Sequence, residues 1–341
     1  MSVPLFLGLV LATATSVLTP RIAHPVPPAV ARFTADVAWE TAESVLIATD
    51  RGVQRYSFRT RNAEPLVSTM ALPEGLPKPE AVASDGASLM TTSHLTVGGY
   101  AMRLVDRKRL AAMRVALLPL DVTVRGSRAC ILALRMTEET EEAVWCGPIG
   151  KSWLKYTLVH RLTSGTKAYQ HSFSFSRAGA VVLAEDGSLY VVTSSEPGVF
   201  HYSADGKLIE RLGERSNELV VSWTHEVRRR FASDVEGRYR LLLNQQPLVE
   251  DLVLTPRGPA LVVRVADKEK VRWELWWPRA DGRKVPPMRL GIDRIGPFGH
   301  LQCDARGTML ACTGSLPDQK KAADFRVSEF VPHLWIFELP K

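Results

Sequence analysis

The strongest constraint on this chain is a strand–turn–strand unit that returns along its whole length. In its clearest form, AVVLAEDGSLYVVTS (180–194), two apolar, β-branched runs flank an Asp-Gly pair. Such runs read as strands, and Asp-Gly suits a tight turn that needs a positive φ. The pattern returns as VAWETAESVLIATD (37–50), AVASDGASLMTTSH (81–94), DVTVRGSRACILAL (121–134), DLVLTPRGPALVVRV (251–265) and LQCDARGTMLACTG (301–314). Further strands follow these hairpins, in GVFHYSADGKLIERL (198–212), GVQRYSF (52–58), RWELWWPRADGRKV (272–285) and HLWIFEL (333–339).

A meander whose two faces are both apolar must be covered by neighbouring sheets. Four-stranded meanders repeated every 40–50 residues or so build a β-propeller. A two-sheet sandwich would need Greek-key crossovers, which serial meanders do not supply. The expectation is therefore an all-β fold, a single β-propeller of four-stranded antiparallel blades over residues 37–341. Six first hairpins are visible. The long gap between 181 and 251 holds LVVSWTH (219–225), VRRRFASD (227–234), RYRLLLN (238–244) and PLVEDL (247–252), which read as a compact further blade. Seven blades are expected, with six as the alternative; seven puts the mean spacing at about 44 residues, six at about 53. VARFT (30–34), left over before the first blade, is expected to pair with HLWIFEL (333–339) and close the ring.

The layout resembles the NHL and YVTN type of propeller repeat. There a strand–turn–strand of the form D-x-x-G-x-L-Y-V is followed by I-x-x-Y/F-x-x-D-G, and AEDGSLYVV with VFHYSADGKL matches it well. The other copies match loosely, so the resemblance is to the repeat class over residues 35–340.

The amino terminus, MSVPLFLGLVLATATSVLTPR, is apolar from Val3 to Leu11 and continues with Ala12-Thr13-Ala14. That resembles a secretory signal peptide with an A-x-A cleavage site. The run is short of the 20 or so residues a membrane span needs. HPVPPAVAR (24–32) reads as a Pro-stiffened linker. The domain reading is 1–24 signal or apolar segment, 25–36 linker and closing strand, and 37–341 propeller, with a mature chain lacking the first 14 to 25 residues.

Four cysteines bear on the compartment. A hairpin loop at 137–139 sets Cys130 opposite Cys146, at cross-strand spacing within disulfide range. Cys303 and Cys312 face each other only if their turn centres on Gly307-Thr308. Bridges at both pairs would place the protein in an oxidising compartment, outside the cytoplasm.

Nothing in the remaining residues spells a reaction. The eight histidines (24, 94, 160, 171, 201, 225, 300, 333) are scattered, although His94, His171, His225 and His300 sit near strand ends that a propeller could bring together. Asp85, Asp186, Asp205 and Asp281 precede Gly and are explained by turns. Trp273, Trp276, Trp277, Trp335, Tyr190 and Phe200 fall on strands expected to pack between blades, with Trp276 and Trp277 on opposite faces. There is no zinc spacing, calcium loop, nucleophile elbow, P-loop or dinucleotide fingerprint. No catalytic residue, metal or cofactor is assigned.

The net charge of +7 is spread thinly, and its densest runs, DRKR (106–109) and VRRR (227–230), read as solvated strand faces. No nucleic-acid signature accompanies them. The functional expectation is a monomeric, non-catalytic, extracytoplasmic binding or scaffold propeller that engages a protein or glycan. The alternative is a propeller enzyme, a lyase or hydrolase, with its site at the mouth of the central channel.

Overall fold

The computed structural model describes residues 16–26, 31, 34–58, 66–70, 78–94, 99–105, 109–115, 118–135, 141–148, 156–162, 179–192, 198–213, 248–267, 270–283, 285–292, 301–317 and 330–341. The chain opens with two short strands, β1 (Val17–Leu18) and β2 (Ile22–Pro25). The first sheet then follows in meander order: β3 (Thr34–Thr41), β4 (Ser44–Thr49), β5 (Gly52–Ser57) and β6 (Leu66–Met70). The second holds β7 (Ala81–Ser84), β8 (Ser88–His94), β9 (Gly99–Val105) and β10 (Arg109–Val115). The third holds β11 (Leu118–Arg125), β12 (Arg128–Arg135), β13 (Glu141–Pro148) and β14 (Thr157–Leu162). The quoted repeat builds the fourth, from β15 (Ala180–Leu183), β16 (Leu189–Val192), β17 (Val199–Tyr202) and β18 (Leu208–Leu212). The fifth contains β19 (Leu248–Thr255), β20 (Gly258–Asp267), β21 (Lys270–Trp276) and β22 (Met288–Leu290), with β1 added alongside β22. The sixth contains β23 (Leu301–Arg306), β24 (Met309–Pro317) and β25 (Phe330–Glu338), completed by β2.

The first strands of the sheets, β3, β7, β11, β15, β19 and β23, touch in cyclic order, and β23 returns to β3. That is a closed propeller around a central channel. Its core is divided: a separate buried apolar cluster fills each junction between neighbouring sheets. The division explains why both faces of each sheet are apolar, and why Leu46 and Ile47, adjacent on β4 and pointing opposite ways, are both fully buried. Truncating either to Ala is worth about 2–5 kcal/mol.

Two expectations are corrected. The described strands form five four-stranded sheets and one of five strands, with no seventh blade from 219–252 among them. Within that stretch LVEDL opens β19, the inner strand of the next sheet; residues 214–247 lie outside the described residues. Ring closure also uses a different segment. Thr34 belongs to β3 and pairs with Thr49, while Ile22, Ala23, His24 and Pro25 pair with Ile336, Trp335, Leu334 and His333. The apolar pattern of 30–34 fits a strand, but hydrogen-bonding register, not hydrophobicity, selects which segment meets the edge of β25.

Cys130 pairs with Cys146 and Cys303 with Cys312, each pair opposed in register with a Cα–Cα distance of 4.1 Å and joined by a disulfide. For the second pair the turn centres on Gly307-Thr308, between the paired Arg306 and Met309. Among the described residues no helix is long and apolar enough to cross a membrane.

Candidate functional site: the central channel

The channel forms a cavity of about 550 Å³ lined by the inner strands and their first hairpins. Its charged lining consists of Asp36, Asp85, Asp121, Glu185, Asp251 and Asp304 against Arg125 and Arg306. A chain of net charge +7 thus encloses an acidic channel.

Three of these acids share one local design. The pairing register slips just before Asp36, Asp121 and Asp251, in β3, β11 and β19. Such a bulge re-aims the side chain that follows it. Asp36 Oδ1 accepts the Val37 N–H and its Oδ2 accepts the Val82 N–H of the next sheet, both at 2.8 Å. Asp121 does the same with Val122 and Val181, both at 2.8 Å. Asp251 takes Leu252 and Cys303, both at 2.7 Å. Each carboxylate therefore fastens an odd-numbered sheet to the even-numbered one that follows. Burial, and then the charges of Asp121 and Asp36, push the Asp251 carboxyl well above the usual carboxylate range.

Asp304 makes a further link. Its Oδ2 accepts the Trp39 N–H at 2.7 Å, and its carbonyl accepts Trp39 Nε1 at 3.1 Å, joining the sixth sheet to the first. Burial lifts this carboxyl to about 7, with Asp36 adding to the rise and the Trp39 N–H and Arg125 opposing it. At the hairpin end of the channel Asp85 Oδ2 accepts the Gly126 N–H at 2.6 Å, and Arg125 lies 3.7 Å from Glu185.

The histidines do not converge here. His171, His225 and His300 lie outside the described residues, as does the side chain of His94. None of the described histidines lines the channel. His160 is buried between the third and fourth sheets, where its Nδ1 meets the Tyr202 hydroxyl at 2.5 Å and its ring tilts against Phe200. Burial, and secondarily Arg211, lowers its pKa to about 4. His201 stacks on Tyr190 and bonds Glu210 at 3.1 Å, while His24 and His333 belong to the two strands of the closing pair. Among the described residues no three His, Cys, Asp or Glu side chains converge to hold a metal ion.

The turn aspartates behave as their sequence context implies. Asp186 accepts the Ser188 N–H at 2.9 Å and Asp281 the Arg283 N–H at 3.0 Å, and Gly187 and Gly206 both hold φ +82°. Trp273, Trp335, Trp277 and Phe200 are buried, whereas Trp276 and Tyr190 are half-buried. Residues 106–108 and 227–230, the core of both basic runs, lie outside the described residues. The fastening aspartates were missed by sequence reasoning. Their signal is a repeated Asp-apolar-x-apolar at the start of alternate inner strands: DVAW (36–39), DVTV (121–124) and DLVL (251–254).

Fold and channel together define a β-propeller, and the segment resembling NHL and YVTN repeats forms one of its blades. Among solved structures the chain is similar to the calcium-binding protein regucalcin from Agrobacterium tumefaciens, with 9% identity, a TM-score of 0.51, and 95% of this chain and 97% of that one covered. It is also similar to Kuenenia stuttgartiensis hydrazine synthase, at 14% identity and a TM-score of 0.47 over 86% of this chain and 78% of that one. A streptogramin B lyase structure matches at 8% identity and a TM-score of 0.45 over 94% and 87%. At such identities the likeness concerns the fold alone. No family model matches the chain, and no curated protein does.

Proposed function

We propose that this is a non-catalytic, extracytoplasmic binding propeller that engages a protein through the outer edge of its fourth blade. One observation carries the reading. Leu208 and Ile209, side by side on the outer strand β18, are 51% and 55% exposed. The turn before β18 lies against the third sheet, because a side chain at Gly206 would sit 3.8 Å from Val159 and Arg128 donates to the Ala204 carbonyl at 2.8 Å. Adjacent large apolar side chains left exposed on an outer edge strand suit a partner's docking there. The channel carboxylates Asp36, Asp121 and Asp251 meanwhile have both oxygens engaged by main-chain donors, which suits fasteners better than reagents. Two buried disulfides support an oxidising compartment.

The test compares immobilised wild-type protein with Leu208→Asp/Ile209→Asp and with Arg125→Ala, using extracellular or periplasmic extract. The expected result is a captured protein that the rim variant loses and the channel-mouth variant keeps. Loss in Arg125→Ala with retention in the rim variant would instead favour a channel enzyme. Asp304 is the observation behind that second reading, since a carboxyl near 7 in a cavity of about 550 Å³ suits a general acid. Asp304→Asn should then abolish turnover of the substrate that the channel admits.

A further inference from the structure

The innermost strands β7, β11 and β19 are edge strands of their sheets, so every second main-chain N–H turns away from the sheet and toward the channel. Their hairpins fix which ones. Arg125 pairs with Arg128 and Thr255 with Gly258 across two-residue turns, and the Asp85 N–H donates to the Ser88 carbonyl. The residues just before, Val124, Leu254 and Ser84, therefore aim their N–H groups at the channel, whose wall all three line. The N–H groups two residues earlier, of Val122, Leu252 and Val82, point the same way, and Asp121, Asp251 and Asp36 hold them.

Closer to the hairpins the chain supplies fewer acceptors. Asp304 takes the Trp39 and Ala305 N–H groups, and Thr123 Oγ1 takes that of Leu183 at 3.1 Å. Among the described residues no protein group takes those of Ser84, Val124 and Leu254. Two guanidinium groups join them at this level, since Arg125 follows Val124 on β11 and Arg306 ends β23, and both line the channel. In the ring of six sheets the second faces the fifth and the third faces the sixth. Ser84, Val124 and Arg125 thus stand across the mouth from Leu254 and Arg306. We propose that this hairpin mouth binds an oxyanion, the phosphate or carboxylate head of a small molecule.

Main-chain N–H groups and guanidinium forks are the donors that hold oxyanions. The acids nearby do not cancel them. Asp85 has both oxygens engaged by the N–H groups of Ala87, Ser88 and Gly126. Glu185 is 91% exposed and 3.7 Å from Arg125, an exposed pair that an incoming anion displaces at little cost. Deeper in the channel Asp36, Asp121 and Asp251 repel a second negative group, so the ligand carries one anionic head and is no polyanion. A cavity of about 550 Å³ has the size of a small-molecule site.

The test follows the main-chain amides themselves by NMR, in the full chain, during separate titrations with sodium phosphate, sodium acetate and ethylammonium chloride at constant ionic strength. Phosphate or acetate should shift the Ser84, Val124 and Leu254 amides saturably, the tighter of the two naming the head group, while Val82, Val122 and Leu252 stay in place. Arg125→Gln should weaken that binding by about tenfold, the scale of one charge-assisted hydrogen bond. Arg283→Gln should leave it unchanged, because that side chain is 83% exposed on the turn before β22. Saturable shifts with ethylammonium instead would overturn the proposal, since the acids would then be the recognising groups. So would the absence of saturable shifts at the three amides with either anion, or binding that Arg125→Gln and Arg283→Gln weaken equally, which marks diffuse attraction to surface charge.

Discussion

At the scale of single residues, this propeller places titratable groups where water is scarce, and two of them pull stability in opposite directions. Asp304 is raised from 3.8 to about 7, so the folded chain holds a proton that the unfolded chain releases. Its contribution is fully present below pH 4 or so and is lost as pH rises through about 7. His160 is lowered from 6.5 to about 4, so its contribution is present above 6.5 and is lost as pH falls through about 4. Thermal melts of wild type and Asp304→Asn should therefore lie closest near pH 4 and separate toward pH 8, where wild type falls below the variant, because the neutral amide mimics the protonated acid and removes the downward slope with pH. The His160→Gln variant should remove an upward one. A difference curve that is flat in either case would show that the group titrates alike in folded and unfolded chains. The turn aspartates were legible because a turn is local. Asp36, Asp121 and Asp251 were not, because their partners Val82, Val181 and Cys303 lie 46, 60 and 52 residues away.

At the scale of elements, the pairing of β1 with β22 and the disulfides make separable claims. A Cβ at Gly291 would lie 2.6 Å from the Leu18 carbonyl oxygen, so β22 accepts β1 only because residue 291 has no side chain. Gly291→Ala should lower stability by about 1–3 kcal/mol in the full chain, the scale of an overpacked contact with no room to yield. The same substitution in a chain starting at residue 27 should cost almost nothing. Equal losses in both backgrounds, read from denaturant midpoints, would show that the clash is not with β1. The Cys130–Cys146 bridge spans a sequence separation of 16, and loops of that size gain about 3 kcal/mol in the chain-entropy model. Cys130→Ser should cost most of that, and Cys303→Ser less, because its bridge spans only 9. The first bridge was readable because the sequence between its cysteines carries one hairpin and one turn. The second depended on where a Gly turn centres, which the paired Arg306 and Met309 decide.

At the scale of the whole molecule, the ring is fastened in an alternating pattern, with carboxylates of the first, third and fifth sheets holding the second, fourth and sixth. Replacing Asp36 or Asp121 by Ala strands two main-chain donors and should cost about 2–5 kcal/mol. Asp251→Ala should cost less, because burial, the main cause of its raised pKa, already offsets part of what its two hydrogen bonds contribute. All three variants should still melt in one transition by calorimetry, since each sheet's core is shared with its neighbours. Separate transitions would mean that the blades are independent units, contrary to a closed ring.

Taken alone, the sequence determined what is periodic and local: apolar alternation made the strands, Asp-Gly pairs made the turns of the fourth sheet, and serial hairpins with two apolar faces demanded a propeller. It also set Cys130 against Cys146, because antiparallel register follows from a single turn. Only the tertiary structure decided the number of sheets, since a strand-like run such as LVEDL serves equally as the start of one blade or the end of another. It likewise chose IAHP over VARFT to close the ring, and bulges rather than composition to bring three aspartates to one channel. These outcomes depend on hydrogen-bonding edges brought together by ring closure. No spacing along the chain encodes which edge remains to be filled.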